Sequence, residues 1–354
     1  MPSYKHEQDH ILTFMQNVYA MNESDKRKMK FLYHQSAIKT RYSVLPDYSL
    51  QANDWVFYPA SENLDPFPDL ELRMKWYNNT APHLSVNAIN KCIADKINGD
   101  EITHLITVSC TGMSAPGLDL QIMEVLELPK NIFRTSVNFM GCYAAIHALR
   151  IADALCHENK SAKVVIVCTE LCTLHFQKDN TIDNITSSLL FGDGSAAVLV
   201  TNDNHQDDGL TIRDFYSEVA FKGKKDMSWE LSSSGFLMTL SGYIADLIEE
   251  DFNSLVQNAL QHSCLEKADI SHWCIHPGGK KILAAIQKSI SISEDSLGES
   301  YKVLRDYGNM SSPTILFVLK EMMDQLNQKR KKTNIFGAAF GPGLTMETFI
   351  LTND

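Results

Sequence analysis

No apolar run in this 354-residue chain approaches the ~20 residues a bilayer-crossing helix needs; KVVIV and AAVLV are of strand length. The opening MPSYKHEQDHILTF is polar, without the apolar core and small-residue cleavage site of a secretory signal, and points to a cytoplasmic protein. Positive charge is in deficit. Lys and Arg total 32 against 43 Asp and Glu, a formal charge of −11 that offers no general attraction to a nucleic-acid backbone. The eight cysteines include no C-x-x-C pair, which argues against a zinc ribbon or a thioredoxin-like motif, and they are too sparse for a disulfide scaffold. Walker, HExxH and GxSxG motifs are missing, and no metal site is expected. FGDGSAA (191–197) resembles a dinucleotide fingerprint. That fingerprint opens a helix, whereas this run continues as the strand-like Ala196–Val200. The basic run Lys329–Lys332 reads as solvated surface.

What remains is a chain 44% hydrophobic, enough for one large core or two fused halves. Ile11, Met15, Val18 and Tyr19 stand at helical spacing, and a Pro-rich aromatic stretch (Pro46 to Pro68) reads as irregular cover. From residue 85 the grammar alternates. A helix (Val86 to Ile97) precedes strand ITHLITVSC, the loop TGMSAPG and a helix around Leu120–Leu126. Strand NIFRTSVNF, helix CYAAIHALRIADALC and strands AKVVIVCTE and FGDGSAAVLVT follow. Polar residues 202–209 suggest a boundary, giving halves 1–204 and 205–354. The second half repeats the pattern through strand SHWCIH, loop Pro277-Gly278-Gly279 and helix KKILAAIQ. Two similar α/β halves suggest a five-layer αβαβα arrangement.

Three residues hold chemical interest. Cys142 falls between a strand and a helix, after Gly141, where the helix dipole favours a thiolate. An isolated cysteine there is more often a buried small hydrophobe. His276 ends a strand before a Gly-rich loop, although a loop histidine can be merely structural. Asn309 lies in YGNMSS, where Ser311 or Ser312 can cap the next helix and leave the amide free; beside Gly308 it can equally be a turn former. Together they stand at the tips of three strand–turn–helix units, which gather at one sheet edge in α/β folds. Cys, His and Asn are the parts of thiol catalysis with an electrophile-stabilising amide.

With these residues the chain resembles the type III polyketide synthases, the chalcone synthase-like branch of the thiolase fold. The resemblance runs from about Lys28 to the C-terminus through NFMGCYAA (138–145), ELCTLHF (170–176), LLFGDGSAA (189–197), WCIHPGGKKIL (273–283), YGNMSS (307–312) and FGPGLTMET (340–348). It implies Cys142 as nucleophile, His276 and Asn309 as its partners, and Phe191 at the mouth of the site. Chamber-lining threonines of plant members correspond to Cys110 and Cys172, with His175 at a third such place and Met238 and Trp229 as further wall. Lys28 remains of the basic residues near the CoA phosphates. Phe31 and Gln35 replace two others, and Lys280 or Lys281 is an alternative source of charge. Ala339 stands where plant members have the first glycine of Gly-Phe-Gly-Pro-Gly.

The implied activity is acyl loading on the Cys142 thiolate from a CoA thioester, then decarboxylative Claisen condensation with malonyl-CoA to alkylpyrone or alkylresorcinol-type products. No metal, flavin or nicotinamide is implied. The resemblance also implies a homodimer with TGMSAPG (111–117) at its interface, and an acyl carrier protein is a further candidate donor. Three alternatives compete. A ketoacyl-ACP synthase III-like enzyme usually has His-Gln-Ala-Asn where this chain has His276-Pro277-Gly278-Gly279. A papain-like hydrolase would fit the Cys142-to-His276 separation, roughly 130–150 residues in that family, but its C-G-S/A-C-W/Y signature is missing. A catalytically dead binding protein would not need all three residues intact.

Overall fold

The computed structural model describes residues 1–19, 21–202, 209–326 and 333–353. The expected boundary between residues 204 and 205 and the basic run Lys329–Lys332 lie outside the described residues.

Two four-stranded mixed sheets organise the chain. In the first, the order is Phe133–Asn138, His104–Ser109, Lys163–Leu171, Asp193–Thr201; the first three strands are parallel and the last runs against them. In the second, His272–Ile275 is parallel to Asn334–Gly341, which pairs antiparallel with Thr345–Thr352, itself antiparallel to Thr211–Val219. Helices Ala144–Glu158 and Thr314–Leu326 pack between the sheets, and the fully buried Ala144, Ala145, Ala148 and Ala152 of the first let strand and helix approach closely. Helices Leu70–Ile93 and Leu118–Leu126 cover the outside of the first sheet. Ile244–His262 and Lys280–Ile290 cover the second. The result is the expected α/β five-layer stack.

This stacking explains the apolar runs. Along Lys163–Leu171, Val164, Ile166 and Cys168 face the central helices while Val165 and Val167 face outward, and all are buried. A strand covered on both faces cannot alternate with polar residues.

Two expectations need correction. The helix expected from Val86 to Ile97 spans Leu70–Ile93, because the Asp69 side chain caps it by accepting the Leu72 N–H at 2.9 Å. The aromatic stretch is core rather than cover. The buried Asp47 carboxylate accepts the N–H groups of Val56, Phe57 and Tyr58, closing the loop so that Phe57 and Tyr58 turn inward. Tyr58 meets Phe14 and Phe176 at ring separations of 5.5 and 5.8 Å. Among the described residues no helix is long and apolar enough to cross a membrane.

Candidate active site

After strand Phe133–Asn138 the chain turns through Phe139, Met140 and Gly141 before helix Ala144–Glu158. Gly141 has φ 90°, a left-handed conformation that side chains resist, and a Cβ there would lie 2.4 Å from Pro342 Cδ. The turn leaves Cys142 two residues ahead of the helix. Its thiol donates to Ser311 Oγ at 3.6 Å.

Ser311 connects Cys142 to the amide. Its backbone N–H donates to Asn309 Oδ1 at 2.8 Å, so Asn309 is not free as its sequence position suggests. Pinning Oδ1 turns the amide NH2 toward the site. There Nδ2 makes a long 3.5 Å contact with the Gly278 carbonyl, and the Asn309 side chain also interacts with the Cys142 sulfur, favouring its ionised form. Gly278 in turn adjoins His276; a Cβ on Gly278 would lie 3.8 Å from the ring's Nε2. Strand His272–Ile275 delivers His276, whose N–H bonds Ala338 O at 2.9 Å. Both ring nitrogens are buried without a hydrogen-bond partner among the described residues. Cys142, Asn309 and His276 thus form one constellation linked through Ser311 and Gly278.

Burial decides the protonation states. It pushes the Cys142 thiol up to about 12, with the contact to Ser311 only partly opposing it, and pushes His276 down to about 3. The helix-dipole expectation of a resting thiolate is therefore corrected: desolvation outweighs the dipole, and thiol and imidazole rest neutral. An imidazole with two open nitrogens can still accept a proton.

Cys142 opens onto a largely apolar cavity holding about 940 Å³ of unfilled space, solvent at its mouth included. Its wall includes Cys110, Cys172, His175, Phe191, Met238 and Arg41. His276 and Asn309 are not among the lining residues, and both are buried.

Residues 2–204 match the family model of chalcone and stilbene synthases, N-terminal domain, and residues 216–353 match its C-terminal domain counterpart. The chain belongs to the chalcone and stilbene synthase family. It is a type III polyketide synthase, an acyltransferase-type condensing enzyme with the thiolase-like fold, and the ketoacyl synthase III-like alternative is not favoured. Type III polyketide synthase C of Arabidopsis thaliana is 28% identical over 365 residues, covering all of this chain and 93% of that protein. Probable polyketide synthase 1 of Dictyostelium discoideum is 30% identical over 347 residues, 95% of this chain but only 11% of that protein. Among solved structures, PKS-I of the brown alga Ectocarpus siliculosus superposes with TM-score 0.91 at 27% identity, covering 99% of this chain and 95% of its own. The C-terminal type III domain of the Dictyostelium type I/III hybrid Steely1 gives 0.90 at 27%, covering 100% and 96%.

Within this type III synthase the expected substrate-binding residues divide. Phe191, Cys172 and Met238 line the cavity. Cys110 lines it too, but its sulfur accepts the Gly141 N–H at 3.1 Å and so supports the turn that presents Cys142. His175 has both nitrogens engaged, Nε2 with Thr111 O at 2.7 Å and Nδ1 with Phe236 N–H at 3.1 Å, and its ring stacks on Phe236. It is wall structure more than a free polar contact. Lys28 pairs with Asp25 at 3.0 Å on the exposed face of its helix, and Lys281 is exposed on helix Lys280–Ile290. Neither reaches the cavity wall.

Sequence reasoning missed two supports. Ser311 was legible only as a capping residue. Glu170 is the one acidic residue in the strand Lys163–Leu171, which was the available signal. Fully buried, it accepts from Cys110 N–H, Thr111 Oγ and Ser312 Oγ at 2.9, 2.8 and 2.6 Å, and burial raises it to about 7. It ties the Cys110 loop to the serines that follow Asn309.

Proposed function

We propose that Cys142 loads an acyl starter and extends it with malonyl-CoA, giving alkylpyrone or alkylresorcinol-type products. Cys142 sulfur attacks the starter thioester as its proton passes to His276. The carbon–sulfur bond to CoA breaks, and His276 returns the proton to the leaving CoA thiolate. Malonyl-CoA then loses CO2, and the electrons of the broken carbon–carbon bond enter an enolate. His276 N–H and Asn309 Nδ2 donate to the enolate oxygen. The enolate carbon attacks the Cys142 thioester, expelling the cysteine thiolate and leaving a chain two carbons longer on CoA. No electrons are gained or lost overall, so the sequence calls for no redox cofactor.

The observation that carries this reading is a buried thiol on the wall of a largely apolar cavity, linked to a pinned amide and to an imidazole unpartnered among the described residues. The apolar wall suits an alkyl starter. Delivery by an acyl carrier protein, beside acyl-CoA, is supported by Phe31 and Gln35 at places where plant members carry basic residues, and by the likeness to a domain of a type I/III hybrid. Assembly as a homodimer, with loop 111–117 at the interface, completes the reading.

Product mass spectrometry with malonyl-CoA and acyl-CoAs of graded length tests it. Tri- or tetraketide masses rising with starter length are expected. Condensation with acetyl-sized starters alone would overturn the alkyl-starter reading, and no ketide from any starter would overturn the reaction.

A further inference from the structure

Asn309 does not sit in a regular element. Its backbone is held by a short parallel bridge to the end of helix Ile182–Leu190, where Asn309 N–H donates to Leu190 O and Gly192 N–H donates to Asn309 O, each at 2.9 Å. The same bridge carries Phe191 on the cavity wall. A helix end leaves carbonyls without helical partners, and whatever binds them fixes where the chain goes next. Here two side chains from the N-terminal region do so. Gln8 Nε2 donates to Leu189 O at 2.9 Å, and Arg41 Nη1 donates to Phe191 O at 2.5 Å. Arg41 Nε also donates to Gln8 Oε1 at 2.9 Å, joining the two side chains into one unit.

The other side of the bridge is gripped by the same segment. Arg41 Cγ and Cδ lie 2.9 Å from where Gly308 would carry a Cβ, so its stem abuts the residue before Asn309. Thr40 Oγ donates to Asp306 O at 2.7 Å, and Tyr42 stacks on Tyr307 with ring centroids 5.7 Å apart. Arg41 is 3% exposed, and no carboxylate lies within ion-pair distance of it among the described residues. Burying a cation is costly; Tyr33 and the buried Asp193 favour its charge, and its hydrogen bonds go to Phe191 O and Gln8. These contacts are spent on the segment that carries Asn309 and Phe191.

We propose that Gln8 and Arg41 are positioning residues that set Asn309 for decarboxylation, an inference that rests on the reaction assigned above. They act through the bridge; Gln8 is not among the cavity-lining residues, whereas Arg41 also lines the wall, so Gln8 carries the decisive test. Displacing a catalytic group by a fraction of an ångström slows the chemical step more than binding, so the effect belongs in kcat.

The test is a double-mutant cycle on malonyl-CoA decarboxylation with the full chain. Gln8→Met keeps the shape and removes the bonds to Leu189 O and Arg41. It should lower kcat about 10- to 100-fold with KM changed less than about twofold. Placed on an Asn309→Ala background, the same substitution should cost almost nothing further, because the group it positions is gone. Arg41→Lys, which keeps the charge and one donor, should lose less than Arg41→Met. Equal losses from Gln8→Met in both backgrounds, or a loss matched by the fraction unfolded, would reduce the brace to general stability and overturn the inference. A parent protein inert toward malonyl-CoA would overturn the proposed reaction and this inference together.

Discussion

At the scale of single residues, the site works by withholding solvent. Burial keeps Cys142 and His276 neutral and leaves both imidazole nitrogens open. It also makes a single amide donor valuable, since a hydrogen bond to developing charge is strongest where water is excluded. Asn309→Ala should therefore slow decarboxylation by about 10²–10³ with little change in thermal midpoint. A large fall in midpoint with normal turnover per folded molecule would instead make Asn309 a turn residue. The buried imidazole also predicts a pH signature. His276 rests near 3 in the folded protein against about 6.5 for an exposed histidine, so the unfolded chain binds more protons across that window. Its contribution to stability is complete above 6.5 and is lost as pH falls toward 3. Glu170, raised to about 7, and Asp193, raised to about 6, act in the opposite sense as pH falls through their range. Comparing urea midpoints of parent and His276→Asn between pH 7.5 and 5 isolates the histidine. The parent should lose more stability on acidification than the variant, and parallel curves would contradict a neutral buried imidazole.

At the scale of elements, the strand–turn–helix units were legible because each carries a sharp local signal. Gly141 before an Ala-rich amphipathic helix marks one, and Pro277-Gly278-Gly279 after an apolar strand marks another. The start of helix Leu70–Ile93 was not, because its cap Asp69 follows a Pro-rich stretch and Pro82 interrupts the run. The inward turn of Phe57 and Tyr58 depends on Asp47, a contact fixed only when the loop closes. The turn that presents Cys142 brings it beside Cys110, yet the two thiols on the chamber wall differ. Cys110 is engaged by Gly141, whereas Cys172 lines the cavity from the turn after strand Lys163–Leu171 and is the better place to narrow it. Each buried methylene contributes up to about 0.8 kcal/mol, so an alkyl path past Cys172 gives a preference that rises with starter length. Cys172→Phe should block long-chain starters while acetyl and butyryl starters still acylate Cys142, read by intact-protein mass. Equal loss at every length in a folded variant would place the alkyl chain elsewhere.

At the scale of the whole molecule, the five layers bring together residues far apart in sequence. Cys142 heads a helix of the central layer, Asn309 precedes the second central helix, and His276 leaves a strand of the second sheet. Their places at the tips of strand–turn–helix units were readable from the alternating pattern, and the motifs around them carry the family resemblance. The links through Ser311, Gly278 and the Gln8–Arg41 brace were not, because they depend on how the two sheets and the N-terminal segment meet. In the proposed reaction two tasks fall to different places, the nucleophile to the cavity wall and the enolate-stabilising donors to buried residues off that wall. Cys142→Ala tests that separation most directly, in one incubation with malonyl-CoA and an acyl-CoA that follows ketide products and CO2 release together. The predicted result is no acyl-enzyme and no ketide, with malonyl-CoA decarboxylation still measurable. Ketides from Cys142→Ala would contradict the account.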